Sequence, residues 1–264
     1  MRLAAVAALA LLTSAADAGA QATIKPVGPG TPVASTVRKT PPPKKNDPTE
    51  RVIVSVNASY LTASRTFDDT RTFDLYAETA SFTSDYTVEP SVGVDAGAIV
   101  RIWKGIGAGI SFTSYSDSRD IEIQASLPHP LKFNSPRTMT GTAPGKHEET
   151  AVHLQFAYIV PIGKKMSAVI FGGPSFFTVK QSVVTAVQRT EAYPFDDVTF
   201  AGATVDNEDE STKGFNVGAD VAYYFTKNLG VGGIVRFSSA TATFSLGDVD
   251  AGGALVGGGV RLRF

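Results

Sequence analysis

The feature that most constrains this chain is a strict apolar/polar alternation repeated in segments of about ten residues. Between 90 and 103, Val92, Val94, Ala96, Ala98, Val100 and Ile102 alternate with Gly93, Asp95, Gly97 and Arg101. A period of two places successive side chains on opposite faces, so such a segment is a β-strand whose faces meet different surroundings. The same pattern gives strands over 51–64, with Val52, Val54, Val56, Ala58 and Tyr60 opposing Ser55, Asn57 and Ser59, and from 106, with Ile106, Ala108, Ile110 and Phe112 opposing Gly107, Gly109, Ser111 and Thr113. It returns at Val152–Val160 against His153, Gln155 and Ala157, at Phe215–Phe225 against Asn216, Gly218 and Asp220, at Val231–Phe237 against Ile234 and Arg236, and at Val256–Phe264 against Gly257, Gly259, Arg261 and Arg263. An eighth segment, 165–184, is interrupted at Gly172-Gly173-Pro174, where a bulge is expected, and its faces stay unassigned.

The connections alternate too. Those near 104, 162 and 227 are short, whereas 66–88, 118–147 and 185–212 are long and read as loops; the connection at 245–251 is the exception. Short turns on one rim and long loops on the other are the habit of transmembrane barrels, with both termini on the short-turn, periplasmic side. The polar faces carry small or hydrogen-bonding groups and the apolar faces carry branched and aromatic ones. The apolar face is therefore expected to meet lipid, the inverse of a water-soluble barrel. Closing the sheet leaves no unpaired edge in hydrocarbon. The expected fold is all-β, an eight-stranded antiparallel up-and-down transmembrane β-barrel over 51–264. Tyr158, Tyr223, Phe225 and Phe264 fall near one rim and Tyr60, Phe112 and Phe237 near the other, as aromatic girdles would.

Ahead of the barrel, Arg2, the apolar run 3–12 and the small residues Ala18-Gly19-Ala20-Gln21-Ala22 read as a signal peptide over 1–22. Residues 23–50 hold seven of the fifteen prolines, beside Lys25, Arg38, Lys39, Lys44 and Lys45, and read as a periplasmic linker of extended, polyproline-II character. Zero cysteines exclude disulfides, thiolate metal sites and a lipidated N-terminal cysteine, and a net charge of -1 gives no nucleic-acid footprint.

With the signal peptide, the eight segments, the unequal connections and the ending Val260-Arg261-Leu262-Arg263-Phe264, the chain resembles the small OmpA/OmpX-type outer-membrane β-barrels over 51–264. The resemblance implies a place in the cell outer membrane among lipid and lipopolysaccharide. It also implies insertion by the outer-membrane barrel assembly machinery through a C-terminal signal, here Val260, Leu262 and Phe264. A peptidoglycan-binding domain is not expected to follow the barrel, and a monomer is expected.

The ionisable residues on the inward faces are Asp95, Arg101, His153, Asp220, Arg236, Arg261 and Arg263. Buried charges need partners, and an eight-stranded barrel is only wide enough for side chains, so these residues are expected to pair into a network filling the lumen. No cofactor, metal or catalytic residue is assigned. His147-Glu148-Glu149 followed by His153 lacks the spacing of a zinc motif, and the acidic stretch 191–210 departs from a calcium loop. Lys132, Arg137 and Lys146 are candidates for lipopolysaccharide phosphates. The expected function is that of a non-enzymatic outer-membrane protein contributing to envelope integrity or surface interaction through its long loops. A narrow pore is the second reading, and a lipid A-modifying enzyme using His129, His147 or His153 the third.

Overall fold

The computed structural model describes residues 51–264, so the segments read as signal peptide and proline-rich linker lie outside the described residues. Within them the chain is all strand, in ten elements: β1 (Val52–Leu61), β2 (Arg65–Leu75), β3 (Glu78–Val88), β4 (Ser91–Trp103), β5 (Ile106–His129), β6 (Lys132–Ile162), β7 (Met166–Glu191), β8 (Val198–Tyr224), β9 (Leu229–Phe244) and β10 (Gly247–Arg263). Every neighbouring pair is antiparallel. The order β1-β4-β5-β6-β7-β8-β9-β10 closes on itself through Ile53 to Leu61 of β1 against Arg263 to Leu255 of β10. The backbone of Phe264 completes the closure: its carbonyl accepts from Arg51 N at 2.6 Å and Val52 N at 3.1 Å, and its own N–H donates to Val52 O at 2.9 Å.

The ring has eight members because β2 and β3 prolong strands that are already counted. β2 resumes the upward path of β1 after 62–64, and β3 leads down into β4 across Glu89-Pro90. Proline cannot donate to a ladder, which explains the second break. The Glu89 N–H turns instead to Asp117 Oδ2 at 2.9 Å.

Each ring strand puts its apolar residues outward in one belt: Val56, Val94, Ile110, Phe156, Ile170, Val217, Val235 and Val260 are all exposed. Beyond the belt the sense reverses without any change of parity. On β5, Phe112 is the last outward apolar residue; Ser116, Ser118, Asp120, Glu122, Gln124 and Ser126 then face out while Ile121, Ile123, Ala125 and Leu127 are buried. β6 behaves alike, with Thr138, Thr140 and Thr142 outward and Met139 and Ala143 inward. A transmembrane strand needs only about 9–11 residues, whereas β5 to β8 run for 24, 31, 26 and 27. Their outer halves form a water-facing extension with an apolar core of Phe82, Tyr86, Ile121, Ile123, Leu127 and Val184, against which Phe67, Phe73 and Phe200 pack.

Two expectations are thereby corrected. The segments 66–88, 118–147 and 185–212 are paired hairpin arms rather than loops. They were opaque as strands because water on the outside and a core on the inside reverse the polarity expected in lipid. Nor is there a bulge at Gly172-Gly173-Pro174: β7 keeps one register with β8 from Met166↔Tyr223 to Val184↔Val205, and its shifts come later, between Val184 and Ala186 and between Gln188 and Arg189. Odd-numbered residues face inward on both sides of the break, Ser167, Val169 and Phe171 before it and Ser175, Phe177 and Val179 after it. Pro174 merely interrupts the ladder to β6 between Gly172 and Ser175. Carbonyls left by that gap are met from the lumen side, Asn216 Nδ2 donating to Gly173 O at 3.0 Å and Pro174 O at 3.4 Å.

Candidate functional site

Within the belt, the inward positions of six strands converge on two buried ion pairs. Arg236 on β9 donates from Nη1 to Asp95 Oδ2 on β4 at 2.5 Å and from Nη2 to Ser111 Oγ on β5 at 2.9 Å. Arg261 on β10 donates from Nε to both carboxylate oxygens of Asp220 on β8 at 3.1 and 3.0 Å, with a further bond from Nη2. Asn57 on β1 joins the pairs, its Nδ2 donating to Asp95 Oδ1 at 2.8 Å and its Oδ1 accepting from Arg261 Nη1 at 2.6 Å. The Arg236 guanidinium also lies over the Phe171 ring, 5.3 Å from its centroid. Glycines make room for these long side chains: a Cβ on Gly232 would lie 3.0 Å from Arg261 Nε. Two arginines balance two aspartates, which makes burial of these charges tolerable, although Arg236 Nε is buried without a hydrogen-bond partner.

A neutral chain continues toward the extension. Asn216 Nδ2 donates to Ser175 Oγ at 2.9 Å, Ser175 contacts His153 Nδ1 at 2.7 Å, and His153 Nε2 meets Thr113 Oγ1 at 3.1 Å. With Ser175 accepting from Asn216, its hydroxyl proton is available to Nδ1, and Nε2–H can then donate to Thr113, an order that a neutral imidazole satisfies without any further partner. The free space lined by Asp220, Arg236 and Arg261 is about 20 Å³, enough for one water molecule, which needs roughly 10–15 Å³, and too small for a solute.

Of the seven inward ionisable residues, Asp95, His153, Asp220, Arg236 and Arg261 are thus brought together, and two are not. Arg101 is half-buried six residues further along β4, roughly 20 Å from Asp95 at about 3.3 Å per residue and beyond its reach. Arg263 belongs to the rim: its Nε donates to Lys227 O at 2.8 Å, and its guanidinium lies 3.9 Å from the Tyr224 ring centroid. Both are the last inward positions of their strands, at the short-turn rim and away from the two buried ion pairs. Val260, Leu262 and Phe264 take the outward face of β10, where Val260 and Phe264 are exposed.

A second buried cluster lies just outside the belt; it joins His147, a candidate of the enzymatic reading, and Glu149 to Arg65 and Gln181, which have no assigned role in the sequence. Glu149 on β6 accepts from Arg65 Nη1 at 2.5 Å, His147 Nε2 at 3.0 Å and Gly252 N at 2.8 Å. His147 Nδ1 lies 2.7 Å from Gln181 Oε1, an amide oriented by the bond from its Nε2 to Ser182 O. Burial alone would raise the Glu149 carboxyl, but the His147 hydrogen bond and the Arg65 charge outweigh it and hold the group below the usual carboxylate range. Shared odd parity with His153 is the signal that could have placed His147 and Glu149 indoors.

The cations suggested for phosphate contact have other partners. Lys132 pairs with Asp196 at 2.5 Å, and buried Arg137 pairs with Glu191 at 3.0 Å and donates to Phe195 O and Pro128 O. Lys146 stays exposed beside Glu148 at 2.6 Å. In the acidic stretch, Asp196 serves Lys132, Asp209 pairs with Lys180 at 3.3 Å, and Glu208 caps Ser245.

No protein-family model and no curated protein matches the sequence. Among solved structures the chain is similar to Neisserial surface protein A (12% identity, TM-score 0.41, 81% of this chain and 97% of that chain). It is similar also to the outer membrane protein OprG of Pseudomonas aeruginosa (9%, 0.44, 81% and 96%). A third is Ail, the attachment invasion locus protein of Yersinia pestis, crystallised with the heparin analogue sucrose octasulfate (10%, 0.36, 81% and 99%). By its own geometry of closed ring, apolar outer belt and hydrogen-bonded polar interior, the chain is a small β-barrel of the outer-membrane type.

Proposed function

We propose that this outer-membrane barrel is non-conducting and non-enzymatic, and that it acts by holding a stiff, water-facing extension out from the membrane for surface interaction, with a contribution to envelope integrity. The observation that carries the reading is the charge-balanced lumen, where Asp95, Arg236, Asn57, Arg261 and Asp220 are bonded in one network and the space beside Asp220, Arg236 and Arg261 is about 20 Å³. Such a filling supports a plug. The extension, with its own apolar core, supports a display role, because a packed hairpin array keeps its tip geometry where free loops would not. Each histidine is engaged in a structural bond, which supports the non-enzymatic half.

In the same reading the protein is a monomer inserted by the barrel assembly machinery through Val260, Leu262 and Phe264. Lipopolysaccharide phosphates are met by exposed Lys213 on β8, with Lys146 and Lys180 on the adjoining strands turning to them from their surface pairs with Glu148 and Asp209. Planar-bilayer recording tests the first half. The expected result is a silent bilayer; reproducible single-channel steps that disappear in Arg236→Ala would replace the plug with a narrow pore. Lipid A mass spectra with and without expression test the second, and a new modified species would return the enzymatic reading.

A further inference from the structure

The extension ends in a tip where three hairpins meet. Tyr76 and Ala77 turn β2 into β3, Pro130 and Leu131 turn β5 into β6, and 192–197 connects β7 to β8. The three are tied together by bonds between hairpins. Tyr76 Oη donates to Glu191 at 3.4 Å, Asn134 N donates to Glu78 Oε1 at 2.9 Å, and Lys132 and Arg137 reach Asp196 and Glu191 as described. Arg189 pairs with Glu191 and lies 5.8 Å from the Tyr76 ring centroid.

Out of this tied base project large apolar side chains with nothing over them. Tyr193 is 82% exposed, Phe133 74%, Leu131 66% and Tyr76 42%. The backbone beneath is strained to hold them. Of the five described non-glycine residues with positive φ, four are here: Tyr76 at 53°, Ala77 at 62°, Asn134 at 52° and Phe195 at 71°. Asn134 is a residue type that takes this conformation readily, whereas Tyr76, Ala77 and Phe195 adopt it at a cost of about 1–2 kcal/mol each. Strained backbone under exposed aromatics marks a surface held for contact, not for stability.

We infer that the tip formed by Tyr76, Leu131, Phe133 and Tyr193 is a wedge that inserts into an apposed lipid bilayer. This rests on the display reading above and supplies its partner. Three observations select a bilayer. The tip's three cations, Lys132, Arg137 and Arg189, each face a carboxylate of Asp196 or Glu191, and Glu78 and Asp197 stand in the same turns, so the tip carries no positive excess to draw a phosphate or sulfate group. Four side chains offer a few hundred Å², below the roughly 800 Å² per partner of a specific protein interface. A bilayer requires no matching shape, and Tyr, Phe and Leu are suited to its interface. Finally, the seventeen residues that follow Phe112, ending at His129, put the tip roughly 55 Å of strand beyond the belt, away from the protein's own membrane. Weak single wedges add up when many copies in one membrane meet another.

Flotation with zwitterionic phosphatidylcholine vesicles tests this, using the full chain in nanodiscs and empty nanodiscs as the control. The wild type is expected to float with the vesicles, and Leu131→Ser/Phe133→Ser/Tyr193→Ser to lose at least about tenfold in partitioning, with heat-modifiable gel migration retained because all three side chains are mostly exposed and Tyr193 meets only the ring of neighbouring Phe195. Added salt or anionic lipid should not strengthen binding. A wild type that stays with the empty nanodiscs, a triple variant that floats equally, or flotation only with anionic or protein-decorated vesicles would each overturn the wedge. Those outcomes leave the bilayer recordings untouched, so the loss of the wedge and the loss of the plugged barrel are separate results.

Discussion

Asn57 illustrates how the lumen works at the scale of one residue. Its amide has two ends of opposite character, and each meets the charge it suits, the NH₂ on Asp95 and the oxygen on Arg261. Asp95, Arg236, Asp220 and Arg261 are legible in the sequence because parity puts them inward and charge demands partners. Asn57 and Ser111 share the same faces, but their role as connectors depends on which strands become neighbours, and the pattern within one strand does not contain that. Asp95→Ala leaves Arg236 buried and unpaired and is expected to destabilise the barrel by about 3–5 kcal/mol. Asp95→Ala/Arg236→Met should cost less than the sum of the single changes, which a double-mutant cycle by urea unfolding in lipid vesicles would measure. Additive losses would mean that the pair is not coupled. Glu149 adds a pH dependence outside the belt. Its carboxyl is lowered in the folded state, so the stability it contributes is complete above its unfolded value and is lost as pH falls through the folded one. Hydrogen exchange over Val249–Gly252 should therefore accelerate below the ordinary carboxylate range. Glu149→Gln should show faster exchange at neutral pH, by about 1.5–3 kcal/mol, and no acid step.

At the scale of the element, the long strands carry two opposite messages in one parity. On β5 the residues before Ser114 say apolar outside, and those after Asp120 say apolar inside. A reader applying one rule to the whole chain finds strands in the first half and loops in the second, which is why ring strands were legible and their outer arms were not. The Ser, Thr and Asp that coat those arms also carry the composition of loops. β7 raises a different difficulty, since Gly172-Gly173-Pro174 looks like a break and yet conserves facing. The glycines on inward faces matter for contact. A Cβ on Gly259 of β10 would lie 1.9 Å from Val56 O and 2.7 Å from Asn57 Cα, an overlap that only a shift of β1 could relieve, and β1–β10 is the closing pair of the ring. Gly259→Ala is thus expected to abolish the heat-modifiable, folded gel form. Gly163→Ala, in open space at a φ of 71°, should leave that form intact and cost only about 1–2 kcal/mol.

At the scale of the molecule, one continuous sheet is stabilised by two solvents. In the belt, lipid outside favours apolar side chains there, and the interior is held by charge pairs and hydrogen bonds; in the extension, water outside favours Ser, Thr and Asp, and the interior is held by burial of Phe82, Ile121, Ile123 and Leu127. The two halves share strands but not a driving force: one apolar cluster gathers around Phe82 and Tyr86 and another around Ile159, Phe171 and Ile234, while a third, around Phe177, Val179 and Phe244, shares Phe67 and Leu246 with the first. Removing a side chain from the outer core should consequently loosen the extension while the membrane ring stays closed. Phe82 is buried against Phe73 at 6.3 Å between ring centroids and sits on β3, which joins β5 over only Ser81 to Asp85. Phe82→Ala is expected to remove about 3–5 kcal/mol from the extension. Amide exchange in lipid should then rise across β2, β3 and 121–127 and stay at the wild-type level over 106–112 and 255–263. If protection fell equally in both regions, the barrel would be a single cooperative unit and its two halves would not be separately stabilised.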